Sequence, residues 1–308
     1  HSDQYSTALP MCPDLAGLRD RFSCYSARVV RCVIITAAQA AASLKTETDM
    51  RWARVMHRGT PAFGIVTDNA VDLVDGSPFG TFERAGISVP LTDVEWLPPV
   101  IPPTFYCVGL NYGPHIEMHA RMRGVEPVFP SQPDVGYRAA NALVGHQHPI
   151  RVPSDATERI QYEGELVCVV GKRAKALTPD NALDCLLGFT IGNDVSERSW
   201  QASDRTLWRA KNADTFKPMG PWIETDFDLE SARTRVRVNG ELCIDFATNN
   251  MLFGVVDYLV AISRYMTLEP GDILWMGTDG HAENLVDGDI VDIEITGIGT
   301  LTNQVVRT

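Results

Sequence analysis

The chain has 308 residues, 44% of them hydrophobic and 21% charged, which is the composition of a globular protein with a sizeable core rather than a disordered or fibrous one. Its formal net charge of −12 works against nucleic acid or an anionic membrane as a partner, because phosphate contacts need clustered Lys and Arg. An acidic protein with an anionic substrate must create positive charge locally, from a metal ion or a few placed Lys and Arg residues.

Residues 1–49 differ in character from the rest of the chain and read as an N-terminal extension: a tag, a misplaced start or an added helix. The apolar stretch at residues 29–42 is too short and too interrupted to span a bilayer. From Arg51 to about Pro99, short alternating runs broken by Gly, Pro and Asp-Asn turns predict hairpins of a small β-rich domain over residues 50–99. The Pro-rich segment at residues 97–103 reads as a stiff linker, with a second domain over residues 100–308. There, β-rich runs lie at residues 105–109, 166–170, 236–238, 272–276 and 290–295, and Val238-Asn239-Gly240-Glu241 is a hairpin turn. Helical periodicity is expected at residues 179–187 and 250–265. The mixture is α+β with a large β component.

Seven cysteines, odd in number and without a C-x-x-C pair, suit a reducing compartment and place the protein in the cytoplasm.

Three segments carry chemistry. In Tyr162-Glu163-Gly164-Glu165-Leu166, residues two apart on a strand share a face, so Glu163 and Glu165 present paired carboxylates, while Gly164 permits a close approach from behind. Like charges on one face are tolerated in solvent or around a hard cation with oxygen ligands, namely Mg²⁺, Mn²⁺ or Ca²⁺. Asp194 ends an apolar run, where it is either a displayed carboxylate or a turn or helix cap. In the segment from Trp208 to Pro221, Lys211 stands just before a rigid, Pro-bracketed loop.

The order and spacing of these segments resemble the fumarylacetoacetate hydrolase family. Its Tyr-Glu-x-Glu-Leu strand, Asn-Asp-Val-Ser-x-Arg segment, Lys-x-x-Asp-Thr-Phe-x-Pro-x-Gly-Pro loop, Val-Asn-Gly hairpin and Pro-Gly-Asp…Gly-Thr turn all have counterparts here. They begin at Tyr162, Asn193, Lys211, Val238 and Pro270, and the resemblance covers about residues 105 to 303.

The resemblance implies a β-sandwich roll as the catalytic domain, Glu163, Glu165 and Asp194 as ligands of Mg²⁺ or Mn²⁺, and a homodimer. It further implies that Arg198, Gln201 and Lys211 meet substrate oxygens, that Thr278 holds a substrate carboxylate, and that Tyr112 and Arg138 lie on the substrate side. His115 matches a family His that activates water with a Glu three residues on. Here that position holds Met118, with Glu117 and His119 on either side, and Asp279 replaces a proline after Gly277-Thr278. The expected reaction is hydrolytic C–C cleavage of an acylpyruvate-like or β-diketo acid through a metal-bound enolate. The alternatives are an isomerase, hydratase or decarboxylase for a 2-oxo or 2-hydroxymuconate-type acid, and a catalytically weakened ligand-binding protein.

Overall fold

A computed structural model describes residues 50–308; the expectations for residues 1–49 fall outside the described residues. Alternation of apolar and polar side chains, punctuated by turns, produces an antiparallel series at the start: Arg51–His57 (β1), Thr60–Val66 (β2), Ala70–Gly76 (β3), Phe82–Pro90 (β4) and Glu95–Leu97 (β5). The turn between β1 and β2 is made by Arg58 and Gly59, both with positive φ. Tyrosine- and valine-rich segments then form Phe105–Val108 (β6), Val135–Tyr137 (β7), Leu143–Val144 (β8), Ile150–Val152 (β9) and Ile160–Gln161 (β10). The helix Gly113–Arg123 (α1) lies between β6 and β7, with proline in its first turn and Gly124 in the left-handed region closing it.

The chain continues with Gly164–Val170 (β11), Leu186–Asn193 (β12), Ser196–Glu197 (β13), the short helix Arg198–Ser203 (α2) and Lys217–Glu224 (β14). Arg233–Val238 (β15) and Glu241–Ala247 (β16) form the hairpin expected at Asn239-Gly240, whose two φ values, 53° and 82°, suit a tight β-turn. Val255–Tyr265 (α3), Ile273–Trp275 (β17), Ile290–Ile295 (β18) and Gly299–Arg307 (β19) complete the chain.

One sheet runs β4-β3-β2-β1-β14-β12-β11-β17-β6-β7, with β5 on β1 and β8 on β14; a second runs β16-β15-β18-β19-β9. The two pack face to face: Leu166, Cys168 and Ile191 of the first sheet share a core with Val236, Ile293 and Leu301 of the second. The β-rich α+β sandwich expected from the sequence is therefore present. The strands of residues 51–97 join the large sheet through β1, where Arg51 pairs with Glu224 and Trp52 with Ile223 of β14. The Arg51 guanidinium also meets the Glu224 carboxylate at 2.9 Å.

One helix expected from the sequence is not there. Residues 179–187 form a single 3₁₀ turn, Ala182–Cys185, and the chain then enters β12. Val170 pairs with Leu186 in the β11–β12 ladder, so backbone hydrogen bonds across the sheet replace those a longer helix would have made. The second helix is present, shortened at its start to Val255.

Candidate active site

The β11–β12 ladder builds the site. Its register sets Gly164 opposite Asn193 and Glu165 opposite Gly192, so the residues just beyond the pair, Glu163 and Asp194, are neighbours. Two hydrogen bonds clamp them together: Asp194 N–H donates to the Glu163 carbonyl at 2.9 Å, and Glu163 N–H to Asn193 Oδ1 at 3.0 Å. Glycine is required on both strands. A Cβ on Gly164 would lie 2.9 Å from Val236 of the facing sheet, and one on Gly192 would lie 2.6 Å from the Trp275 ring. The close approach expected behind Gly164 is thus the second sheet itself.

Glu163, Glu165 and Asp194 are all buried, and one ligand oxygen from each lies within 4.8 Å of the others. Oxygens bound to one ion at roughly 2.1–2.4 Å are separated by no more than about 4.2–4.8 Å, so the spread fits a single Mg²⁺, Mn²⁺ or Ca²⁺.

Four cationic side chains surround these carboxylates. Lys211 Nζ bridges Glu163 Oε2 (2.6 Å) and Asp194 Oδ2 (2.9 Å). Arg198 reaches Glu163 Oε1 at 2.6 Å, and its other nitrogens donate to Gln161 and Gln201, each at 2.8 Å. Arg138 meets both Asp194 oxygens, at 3.3 and 3.0 Å. Lys217, fully buried, meets Asp194 Oδ1 at 2.7 Å while donating to the Val195 and Phe216 carbonyls.

The three carboxylates respond differently. Burial alone would raise Asp194, but Arg138, Lys211 and Lys217 hold it well below the usual aspartate range. Burial likewise opposes ionisation of Glu163, and Lys211 with Arg198 outweighs it, leaving Glu163 lowered. Glu165 has no such partner: among the described residues its carboxylate accepts only the Gly277 N–H, at 2.8 Å. Burial, then the charges of Asp194 and Glu163, push it well above the ordinary glutamate value. A buried carboxylate that lacks a cation, beside two that have one, is the feature a divalent ion would complete, and the donor set fits it.

A cleft opens beside Glu163 and Arg198, lined also by His115, His119, Thr278 and His281. His115 Nδ1 lies 2.9 Å from the Gly280 carbonyl; since a carbonyl only accepts, Nδ1 carries a hydrogen, and in the neutral ring Nε2 holds the lone pair. Gln201 reaches the site through Arg198.

Of the two residues expected on the substrate side, Arg138 is at the site and Tyr112 is not. Tyr112 is wholly buried and its hydroxyl donates to the Thr248 carbonyl at 2.7 Å, making it a packing residue against Phe246. Arg138 is turned to Asp194. Nor is Asp194 a helix cap: Glu197 caps α2, accepting the Trp200 N–H and the Thr157 hydroxyl.

Sequence reasoning passed over Lys217 and left His119 without a role. Lys217 has a signal in hindsight, a lone lysine between Phe216 and Pro218-Met219 in an apolar run. Burial lowers it to about 8, against the opposing pull of Asp194.

The C-terminal domain model of fumarylacetoacetate hydrolase matches residues 104–306, and an Rv2993c-like N-terminal model matches residues 50–99. The chain belongs to the fumarylacetoacetate hydrolase family. Protein Rv2993c of Mycobacterium tuberculosis is 43% identical over 75% of this chain and 85% of its own length. The 2-hydroxyhepta-2,4-diene-1,7-dioate isomerase of Mycobacterium marinum, a solved structure, superposes with a TM-score of 0.75 at 38% identity, covering 84% of this chain and 99% of that one. Oxaloacetate tautomerase YisK of Bacillus subtilis is 33% identical over 70% of this chain and 74% of its own length. This fumarylacetoacetate hydrolase family member is thus similar to enzymes that rearrange small acids. Among its described residues no helix is long and apolar enough to cross a membrane.

Proposed function

We propose that the chain is a divalent-metal-dependent isomerase or tautomerase, moving a proton on the carbon beside the oxo group of a small 2-oxo or β-dicarbonyl acid. The observation that carries this reading is the setting of His115. In its neutral form the ring leaves Nε2 as a lone-pair nitrogen, yet among the described residues no carboxylate is hydrogen-bonded to it: Glu117, two positions on, is exposed, and Met118 comes next. Successive helix residues turn by about 100°, which directs Glu117 away from the face of His115. A carboxylate-paired histidine is a strong base suited to activating water. A lone imidazole is a mild base suited to taking and returning a proton on an acidified carbon. Two relatives that are by name an isomerase and a tautomerase support the same reading.

When bound at Glu163, Glu165 and Asp194, Mg²⁺ or Mn²⁺ supplies Lewis-acid polarisation of the substrate's oxo and carboxylate oxygens. Lys211 places a positive charge where the oxo oxygen gains electrons as the proton leaves. Arg198, braced by Gln161 and Gln201, orients the acid, and Thr278 offers a hydroxyl to its carboxylate. His115 Nε2 carries the proton. Hydrolytic C–C cleavage of an acylpyruvate-like acid is the second reading, because the same cations would stabilise an enolate leaving group. The cytoplasmic reading draws on the free thiols of Cys107, Cys168 and Cys185. The homodimer is supported by the apolar groove along Phe253, Val256, Val260 and Tyr265.

His115→Ala is expected to lower kcat for oxaloacetate tautomerisation by about a hundredfold or more, with Glu117→Gln silent. Met118→Glu, placing a carboxylate on the His115 face, raises hydrolysis of an acylpyruvate. A large kcat loss in Glu117→Gln, or an unaffected His115→Ala, would overturn the assignment.

A further inference from the structure

We propose that His119 is a positioning residue for His115, holding the His115 imidazole in the orientation that proton transfer needs; this rests on the reading of His115 as proton carrier. The two lie one turn apart on α1, and their rings meet edge to face, with centroids 4.3 Å apart and planes at 71°. A histidine side chain has two rotatable bonds, and a single hydrogen bond leaves it room to pivot. The Nδ1 bond to Gly280 secures one edge of the His115 ring, and the His119 ring against it removes the remaining freedom.

No competing interaction occupies His119. Among the described residues it makes no side-chain hydrogen bond, and its one specific contact is with His115. Burial, then the proximity of His115 and Arg198, lowers it to about 4, so at neutral pH it packs as an uncharged ring that does not repel a proton arriving on His115. The remaining charged or titratable groups on the cleft wall are Tyr162, Glu163, Arg198, Asp279 and His281, and Arg123 on α1 also acts on His119. Because the contact is edge to face with no hydrogen bond between the rings, the contribution is shape rather than nitrogen chemistry.

The test is a double-mutant cycle on the Mg²⁺- or Mn²⁺-loaded protein with oxaloacetate. His119→Ala is expected to lower kcat about tenfold with KM changed by less than about twofold, and His119→Phe to restore most of the loss. In the His115→Ala background, His119→Ala has no further effect. NMR of the His115 Nδ1–H provides a readout independent of turnover: the signal persists in wild type and His119→Phe and is lost to solvent exchange in His119→Ala. A His119→Ala loss that persists undiminished in the His115→Ala background, or a Phe variant as impaired as Ala, overturns the role of His119 alone. Wild-type rates in His115→Ala remove the reading of His115, and with it this role.

Discussion

Replacing Glu163, Glu165 or Asp194 by Ala is expected to abolish turnover and to weaken Mg²⁺ or Mn²⁺ binding by about a hundredfold or more, because each change removes one of the three candidate anionic ligands found among the described residues. The three differ in what they do to the metal-free protein. Asp194 balances Arg138, Lys211 and Lys217, so Asp194→Ala strands buried cations and costs about 3 kcal/mol or more. Glu163→Ala strands Arg198 and half of the Lys211 bridge, with a loss of the same kind. Glu165 makes no ion pair among the described residues, and burial disfavours its ionised form more than the charge of Lys211 favours it. Glu165→Gln therefore leaves the metal-free protein at least as stable as wild type while still eliminating tight metal binding. Calorimetric titration with Mn²⁺ and thermal unfolding with EDTA test both halves. Wild-type affinity in all three Ala variants, or marked destabilisation by Glu165→Gln, would show that the triad is a structural network and not a metal site.

Lys211→Met is expected to lower kcat by about two orders of magnitude or more, since one preorganised charge on a developing oxyanion is typically worth that much. Its ammonium is buried and touches two of the three candidate ligands, which no solvated loop lysine would do. Metal binding should survive, because Asp194 keeps Arg138 and Lys217 and Glu163 keeps Arg198. A variant with wild-type kcat would assign Lys211 to folding alone.

Most strands are legible in the sequence because alternation and turn residues are local properties. Asn239-Gly240 marks a hairpin whatever surrounds it, and the structure places one there. The helix expected at residues 179–187 fails for the opposite reason: Leu186 is claimed by a partner strand remote in sequence, and no local pattern reports that. Motif order gathers Glu163, Glu165, Asp194, Arg198 and Lys211 into one site, but not the division of charge among them. That Glu165 lacks a cation while Asp194 has three depends on where Arg138 and Lys217 arrive, from the end of β7 and from β14. Tyr112 is placed on the substrate side by the resemblance alone, and no sequence pattern reports that its hydroxyl is consumed by the Thr248 carbonyl. His119 becomes meaningful only once α1 is seen to run through both histidines.

If the buried triad and its surrounding cations promote proton transfer on a 2-oxo acid, the C3 protons of oxaloacetate must exchange with solvent on the protein. Proton NMR of oxaloacetate in D₂O, tracking loss of the C3 proton signal, measures that step without requiring any carbon–carbon bond to break. The metal-loaded wild-type protein should accelerate exchange well above the rate with free Mn²⁺, and both EDTA and Glu165→Gln should return it to background. Exchange no faster than with free Mn²⁺, alongside metal-dependent hydrolysis of an acylpyruvate by the same sample, would contradict the proton-transfer assignment.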